Sequence, residues 1–159
     1  MTLRLVDATE AVARAVCDHG DVDGALAELE LLRVPDWPHP DTTDALRPLA
    51  EHPALAGEGS FLVVHDGRVV GDCGWFGPAG TDGSVEIGYG LAPSMRRRGH
   101  GAAAVRLLLA WVKAQPGVTV VRAEVLPGNG ASLALLAGLG FMIEGHRSGH
   151  VQLSRMTAV

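Results

Sequence analysis

Residues 86–111 read EIGYGLAPSMRRRGHGAAAVRLLLAW and join a β-rich run to the strongest helix signal of the chain. Val85–Leu91 predicts a strand that ends at Ala92-Pro93, and residues 101–115 consist of strong helix formers that stop at Pro116-Gly117. Between them, the arginines and glycines of residues 96–101 lead into the first helical turn. Unpaired N–H groups, the positive end of a helix dipole and bidentate arginines all favour phosphate. The stretch therefore predicts a loop that binds an anion such as pyrophosphate.

Other interpretations of this loop compete with that one. The simplest is a solvated charge run in which the glycines serve only the turn. A nucleotide P-loop is excluded because no Lys-Ser or Lys-Thr follows the second glycine. A dinucleotide-binding fingerprint fits Gly99-x-Gly101-x-x-Ala104, with Glu124 near the position of a ribose-binding acid. It is disfavoured because seven residues separate Leu91 from Gly99 and only 35 follow Glu124, too few for further parallel units.

The rest of the chain predicts a mixed α/β sheet in a single domain over residues 1–159. Asp66-Gly67 joins two β-rich runs and is a strong hairpin signal, so the first four strands are expected to be largely antiparallel. Strands are expected at 2–6, 60–65, 68–75, 85–91, 118–125, 141–144 and 151–155, with helices over 9–32 (broken near Gly20), 42–51, 101–115 and 131–137. Residues 34–41, VPDWPHPD, are expected to form a loop with Trp37 in its middle, because three prolines cannot continue a helix.

Composition limits the classes of protein that fit. Of the 159 residues, 47% are hydrophobic and 19% are charged, which is typical of a soluble globular domain. The two cysteines, Cys17 and Cys73, are too few for a disulfide framework or a four-ligand zinc site, and no metal site is predicted. No stretch approaches the ~18 apolar residues of a membrane span, and the N-terminus does not resemble a signal peptide. A cytoplasmic protein without membrane association is expected.

The net charge of −5 conceals an asymmetry between the two parts of the chain. Residues 1–90 carry 16 acidic and 5 basic residues, a net charge of −11, whereas residues 91–159 carry 2 acidic and 8 basic residues, a net charge of +6. An acidic protein with no basic stripe is not expected to bind nucleic acid. The basic part is instead concentrated in Arg96, Arg97 and Arg98, which indicates a local anion site.

Two motifs in this order resemble the GNAT superfamily of acyl-CoA-dependent N-acyltransferases. The family pattern of Arg or Gln, two residues, Gly, one residue, and Gly or Ala is matched by Arg96, Gly99 and Gly101. A second family motif is matched by the stretch NGASLALLAGLGF, at Asn129, Ser132, Gly140 and Phe141. The resemblance covers residues 60–145 well and the first 58 residues only by the order of their elements. Within the superfamily, EIGYGLAP looks most like the branch that includes ribosomal-protein N-terminal acetyltransferases.

The resemblance implies a largely antiparallel central sheet flanked by helices, with two strands splayed apart where acetyl-CoA, the acyl donor, binds. By the same resemblance the backbone around 89–92 pairs with the pantetheine arm, and the amides of 97–102 hold the pyrophosphate. His100 occupies the variable position of the motif and is expected to be a surface residue near the phosphates. The implied cofactor-binding residues are Tyr89, Leu91, Ala92, Arg96, Arg97, Arg98, Gly99, His100, Gly101, Ala102 and Asn129.

The implied reaction is attack of a primary amine on the thioester in a ternary complex. A lysine-like amine of pKa about 10.4 is neutral in well under ~1% of molecules at pH 7, so a base helps. Glu86, on the strand that ends at the loop, is the expected base, acting directly or through a water, and the N–H of Leu91 would meet the oxyanion. Many family members protonate the leaving thiolate with a tyrosine, whose position here holds Leu136. Ser132 or a water is expected to donate instead; Tyr89 is expected either to flank the cofactor or to act as a displaced acid.

The acceptor is left open by the sequence. Asp36, Asp41 and Asp44 lie near Trp37 and His39 in the proline-rich loop, where they either attract a cationic amine or form a solvated acidic surface. A protein N-terminus and a cationic small molecule both fit. The alternative to an enzyme is an acyl-CoA-binding module that has lost catalysis, which the missing tyrosine allows, and a homodimer is compatible with the resemblance.

Overall fold

A computed structural model describes residues 2–157 of the chain. The elements follow the predicted order except that a short strand, β2, lies at the end of the region 9–32 that the sequence predicts to be helical. They are β1 Leu3–Asp7, α1 Glu10–Cys17, α2 Val22–Ala27, β2 Leu32–Arg33, α3 Thr42–Glu51, β3 Ser60–His65, β4 Arg68–Trp75, β5 Ser84–Leu91, α4 His100–Lys113, β6 Val120–Val125, α5 Gly130–Gly138, β7 Met142–Arg147 and β8 His150–Met156. Short 3-10 turns cover Pro53–Leu55 and Pro93–Met95. In the described part of the chain, no helix is long and apolar enough to cross a membrane.

The strands form one sheet in the order β1-β3-β4-β5-β6-β8-β7. The short strand β2 also pairs with β4 but stands outside this order. Neighbouring strands on the path are antiparallel except for β5 and β6, which run parallel. The mixed, largely antiparallel sheet is therefore confirmed. The sheet holds eight strands rather than about seven, because the two-residue strand β2 is too short to produce a periodic pattern.

The hairpin between β3 and β4 forms where the Asp66-Gly67 dipeptide predicts it. Asp66 and Gly67 have positive φ values of 51° and 74°, and His65 pairs with Arg68 directly across the turn. Such values suit glycine and are tolerated by aspartate, so these two residues fix the register of the hairpin.

The sheet has a helical layer on each face. On one face, residues such as Val105 and Leu108 of α4 pack against Ile87 of β5 in a buried cluster. On the other face, Val12 of α1 and Leu46 of α3 pack against the β3 side of the sheet. The helices α1 to α3 thus cover one face of the sheet, and α4 and α5 cover the other. Because side chains alternate between the two faces along each strand, both faces are apolar.

The two parallel strands separate halfway along their length. β5 and β6 are paired from Ser84↔Val120 to Ile87↔Ala123. Beyond that point β5 continues beside β4 while β6 continues beside β8. The ladder therefore opens into a gap bounded by residues 88–91 and 124–125, which confirms the splayed sheet.

Candidate active site

The loop of residues 92–99, which the sequence predicts as the cofactor loop, ends in an open helix N-terminus. Gly99, the N-cap of α4, has a φ of 81°, which favours glycine, and no side chain caps this helix end among the described residues. The first α4 amide with an intrahelical partner in that part of the chain is Ala103, whose N–H donates to the Gly99 carbonyl at 3.2 Å. The N–H groups of His100, Gly101 and Ala102 are therefore left for an external acceptor. An anion at this position would also meet the positive end of a 14-residue helix.

Gly101 serves a different purpose, because it brings the start of α4 close to the neighbouring elements. A Cβ at this position would lie 2.8 Å from Leu135 Cδ1 of α5 and 3.7 Å from Leu91 Cδ1 of β5. A larger side chain would have to push Leu135 away. The two glycines of the motif are thus explained separately, Gly99 by its backbone conformation and Gly101 by close approach.

Two side-chain contacts, at Ser94 and Arg96, hold this loop in place. Arg96 Nε donates to the carbonyl oxygen of Leu91 at 3.2 Å, which folds the loop back onto the end of β5. Asp36, from the proline-rich segment, accepts hydrogen bonds from Ser94 N at 2.7 Å and Ser94 Oγ at 2.6 Å. These bonds from the Ser94 side chain and backbone lower the pKa of Asp36. Asp36 therefore belongs to the cofactor loop and not to an acceptor cluster.

The charged groups of the loop face solvent. Arg96, Arg97 and Arg98 are all exposed, and Arg97 has a φ of 62°. The His100 ring lies 4.6 Å from the ring of His65. Burial, His65 and Arg98 together lower the pKa of His100, so it is a neutral residue beside the loop at neutral pH. His100 is half-buried here, and its expected position near the phosphates stays a prediction.

The edge of β5 that borders the gap presents the amides of Tyr89 and Leu91. Phe76 N donates to the Glu86 carbonyl and Ala92 N donates to the Val70 carbonyl, each at 2.8 Å, so the even-numbered residues of β5 point their polar groups toward β4. In an antiparallel pair the intervening residues point the opposite way. The N–H groups of Tyr89 and Leu91 therefore face the gap, whereas the N–H of the buried Ala92 is already occupied.

Two hydroxyl groups meet across the gap. The Tyr89 hydroxyl is hydrogen bonded to Ser132 Oγ in the first turn of α5. Asn129, the N-cap of α5, accepts a hydrogen bond from Ser132 N at 3.1 Å and so fixes that turn. Burial raises the pKa of Tyr89, and the hydrogen bond to Ser132 partly offsets the increase. Leu136 is fully buried in the core. The structure thus brings Tyr89, Ser132 and Asn129 together on the α4 and α5 face of the sheet.

A cavity of about 500 Å³ lies on the opposite face, between α3 and strands β4 and β5. Gly74, Gly88 and Gly90 line it, and Gly74 pairs directly with Gly88 in the sheet. Of the three positions, Gly88 leaves open space, since a Cβ there would lie 3.5 Å from Phe76. A Cβ on Gly74 would meet the Gly59 carbonyl oxygen at 2.7 Å, and one on Gly90 would meet the His39 ring at 2.6 Å. The sequence analysis did not identify this cavity. Glycines spaced two apart in GYG were the available signal, but their partner on β4 depends on register.

Acidic and aromatic side chains surround the cavity. Asp41, Asp44 and Glu58 are exposed at its rim, and Trp75 and Phe76 form part of its wall. No arginine or lysine from residues 2–157 lines it. The acids give the cavity a negative potential that attracts cations. Of the three predicted acceptor carboxylates, the structure places two here and the third, Asp36, on the cofactor loop.

A buried polar cluster stands beside the cavity. Asp72 Oδ2 accepts hydrogen bonds from Trp37 Nε1 at 3.0 Å and Thr42 Oγ1 at 2.8 Å. His39 Nε2 lies 3.2 Å from the same oxygen, within ion-pair distance but without the geometry of a hydrogen bond. Burial lowers the pKa of His39, but the adjacent Asp72 carboxylate and the Asp41 charge outweigh it and raise the pKa above its ordinary value. Sequence reasoning missed this cluster; the signal was an aspartate, Asp72, inside an apolar strand.

Glu86 lies on the same face as the cavity but outside its lining. It is half-buried on β5, two residues before Gly88, which is roughly 6.6 Å along the strand. Burial and the charge of Glu124 raise the pKa of Glu86, while Arg147 and His150 oppose the increase. Its neighbour in register, Arg122, is paired instead with Asp82 at 3.3 Å and Glu144 at 3.5 Å. Glu86 is therefore a carboxyl group with a raised pKa near this cavity.

Comparisons with known proteins agree with this geometry. The family described as "Acetyltransferase (GNAT) domain" matches residues 3–142. An uncharacterized N-acetyltransferase of Bacillus subtilis strain 168, YjdG, is 28% identical over 130 residues, which cover 78% of this chain and 77% of that protein.

Solved structures show the same fold. The putative acetyltransferase yncA from Salmonella typhimurium, determined with its cofactor acetyl-CoA, has a TM-score of 0.64 and 18% identity, covering 99% of this chain and 95% of that one. RimL, a ribosomal L7/L12 alpha-N-protein acetyltransferase in complex with coenzyme A, has a TM-score of 0.68 and 18% identity, covering 98% and 94%. With an open helix N-terminus, a splayed sheet and this family match, the chain belongs to the GNAT family and is an acetyl-CoA-dependent N-acetyltransferase.

Proposed function

We propose that this enzyme transfers the acetyl group of acetyl-CoA to a cationic primary amine by direct attack in a ternary complex. The observation that carries the proposal is the position of the acid-rimmed cavity relative to the gap between β5 and β6. The gap opens toward α4 and α5 on one face, and the cavity adjoins the same segment of β5 on the other. Donor and acceptor would therefore meet at residues 88–91 from opposite sides.

The donor site is assigned from the free amides. The pyrophosphate would accept hydrogen bonds from the amides of residues 97–102, with Arg96, Arg97 and Arg98 adding positive charge. The pantetheine arm would pair with the backbone at Tyr89 and Leu91, whose N–H groups face the gap, while Asn129 holds the α5 end of the site. The N–H of Leu91 would also stabilise the oxyanion that develops on the thioester oxygen.

The reaction needs a deprotonated amine and a departing thiolate. The amine nitrogen attacks the thioester carbonyl carbon, the C–S bond breaks, and the electron pair leaves with sulfur. A thiol has a pKa of about 8.5, so its thiolate departs without full prior protonation. The paired hydroxyls of Tyr89 and Ser132 lie on the cofactor face and would supply the proton to sulfur. Glu86, which the sequence predicts as base, lies outside the cavity lining and would reach the amine only through a water.

The acceptor class follows from charge and shape. Asp41, Asp44 and Glu58 would hold a protonated amine at the rim, and Trp75 and Phe76 offer aromatic faces to a cation. The α-amino group of a peptide, with a pKa near 7.7 to 8.0, and a polyamine both satisfy these demands. Single-domain organisation over residues 1–159, a homodimer and a cytoplasmic location remain predictions.

The experiment compares binding and turnover. Thermal unfolding with excess acetyl-CoA is expected to show a higher midpoint, and at about 100 times the dissociation constant the stabilisation is roughly 2.7 kcal/mol. Coenzyme A release is then measured with spermidine, kanamycin, a short peptide with a free N-terminus and its N-acetylated counterpart. Transfer to at least one free amine and none to the blocked peptide supports the enzyme. Stabilisation by acetyl-CoA without transfer to any amine would favour a binding module.

A further inference from the structure

His39 stands against the strand edge where donor and acceptor are proposed to meet. A Cβ on Gly90 would lie 2.6 Å from His39 Cε1 and 2.8 Å from its Nε2, so the imidazole occupies the space that a side chain at position 90 would fill. Gly90 lies opposite Asp72 in the β4–β5 register. The imidazole is therefore placed between a carboxylate and the segment 88–91 that borders the gap.

The histidine and its partner are almost completely enclosed. The side chain of His39 is 2% exposed and that of Asp72 is 4% exposed. Trp37 and Thr42 donate to the oxygen of Asp72 that His39 approaches, so the carboxylate is held in one orientation. Both ring nitrogens of His39 are buried, and neither makes a hydrogen bond of good geometry with a described residue, although Nε2 lies 3.2 Å from Asp72 Oδ2. A buried polar atom without a partner is rare in a folded protein and calls for a ligand or a functional explanation.

We propose that His39 accepts the proton of the acceptor ammonium, with Asp72 as the positioning residue. The inference rests on the proposed function and names a residue of that site. With Nε2 bearing the hydrogen that points toward Asp72, Nδ1 keeps a lone pair for the incoming proton. The proton moves from the ammonium to Nδ1, directly or across one water in the cavity, and the neutral amine then attacks the thioester carbon. The second proton of the attacking nitrogen is lost as the thiolate is protonated, so the products are the amide, the thiol and one proton on His39.

The charges around His39 suit this role. Asp72 faces it from β4 and Asp41 from the start of α3, while Asp44 and Glu58 are the other acids of the cavity. These negative charges stabilise the imidazolium that forms and raise the pKa of His39 above 6.5. A base with a pKa near the working pH combines availability with strength. Glu86, the competing base, lies outside the cavity lining.

The test is the pH dependence of kcat/KM for the free amine that gives the highest rate among spermidine, kanamycin and the short peptide. Wild type is expected to lose activity as pH falls below the pKa of His39. His39→Gln is expected to lower kcat by about 10²-fold or more and to remove this acidic limb. Asp72→Asn is expected to move the limb to lower pH, because the charge that raises the pKa is gone. His146→Gln, an exposed histidine on β7, is the matched control and is expected to retain the wild-type profile.

A second measurement covers variants that fold poorly. The imidazole of His39 is titrated by NMR in wild type and in Asp72→Asn, with acetyl-CoA-dependent stabilisation confirming that each protein is folded. A pKa above 6.5 that drops in the variant supports the geometry. An acidic limb that persists at the same pH in His39→Gln, or that disappears in Glu86→Gln alone, would overturn the inference while leaving the acetyltransferase intact. Absence of transfer by wild type to every free amine would overturn the proposed function and this inference with it.

Discussion

Asp36 is bonded twice to Ser94, through the backbone N–H at 2.7 Å and the hydroxyl at 2.6 Å. The two residues are 58 positions apart, and their contact ties the proline-rich segment to the cofactor loop. Three residues after Asp36, His39 lines the acceptor cavity. One short segment therefore contacts both binding sites, which makes separate substitutions within it informative.

Asp36→Asn is expected to weaken acetyl-CoA binding several-fold. The substitution exchanges a carboxylate that accepts two hydrogen bonds for an amide that accepts them less strongly, so the loop at 93–98 loses its fixed position. Isothermal titration with acetyl-CoA measures the effect. Asp18→Asn, an exposed aspartate after α1, is the control. Equal affinity in wild type and Asp36→Asn would show that the contact does not order the loop.

Asp41→Asn with Asp44→Asn is expected to raise the KM for a cationic amine while acetyl-CoA affinity stays unchanged. Both carboxylates lie at the rim of the cavity, where their field attracts cations. Because exposed charges are screened, the wild-type KM should rise with ionic strength and the double variant should respond less. Steady-state kinetics at low and high salt measure both effects, with Asp18→Asn and Glu28→Gln as a charge-matched control. A KM that does not move would remove the two aspartates from the acceptor site.

Gly90→Ala is expected to displace His39, whereas Gly88→Ala is expected to be accommodated. The added methyl at position 90 would lie 2.6 Å from the imidazole, but at position 88 its nearest neighbour is Phe76 at 3.5 Å, an ordinary contact. The His39 ring resonances should therefore shift and turnover should fall in Gly90→Ala. NMR spectra and coenzyme A release measure the two effects. Matching His39 signals in both variants would mean that the ring does not occupy that space.

Tyr89→Phe is expected to lower kcat with little change in acetyl-CoA affinity, because the phenol is proposed to protonate the leaving sulfur. Burial raises its pKa above 10, so the hydroxyl stays protonated through the neutral range. Ser132→Ala should lower kcat as well, and the double variant should lose less than the two single losses combined, since the hydroxyls act together. Rates with saturating substrates measure this. Full activity in the double variant would assign the proton to water.

The pair of His39 and Asp72 is expected to make stability pH-dependent. A histidine whose pKa is raised in the folded state contributes fully to the stability of that state when the pH is below its unfolded-state pKa of about 6.5. This contribution is lost as the pH rises through the folded-state pKa. Wild type should therefore lose stability above pH 6.5 relative to His39→Gln, whose profile should be flatter there. Urea unfolding from pH 5.5 to 8.5 measures the difference. Parallel profiles would mean that His39 has the same pKa folded and unfolded.

Local signals made the cofactor side predictable from the sequence. The hairpin at Asp66-Gly67 and the loop from Arg96 to Gly101 each depend on adjacent residues whose conformational demands can be read directly. The buried cluster beside the cavity and the hydroxyl pair on the α4 and α5 face depend instead on contacts between distant segments. Trp37 and Asp72 are 35 residues apart and Tyr89 and Ser132 are 43 apart. Neither pairing produces a periodic pattern in the sequence, because each contact forms only after the register of the strands is set.

The glycine lining of the cavity shows the same limit. Gly88 and Gly90 are spaced two apart on β5, but the His39 ring fills the space over Gly90 and the Gly59 backbone covers Gly74, the partner of Gly88 on β4. Which glycine leaves open space therefore depends on segments that are distant in sequence. Glu86 was predicted from its position on the strand that leads to the loop. On this strand Glu86 lies two residues before Gly88, so its side chain is on the face of the cavity but outside the lining. This can be recognised only once the position of the cavity is known.

The central claim is that acetyl-CoA and the amine meet directly from opposite faces of the sheet. Initial rates measured while both substrates are varied test it. Direct transfer gives double-reciprocal lines that intersect, because both substrates must be bound before the acetyl group moves. Parallel lines, together with an acetylated form of the protein in its intact mass spectrum after incubation with acetyl-CoA alone, would indicate an acyl-enzyme intermediate and contradict the account.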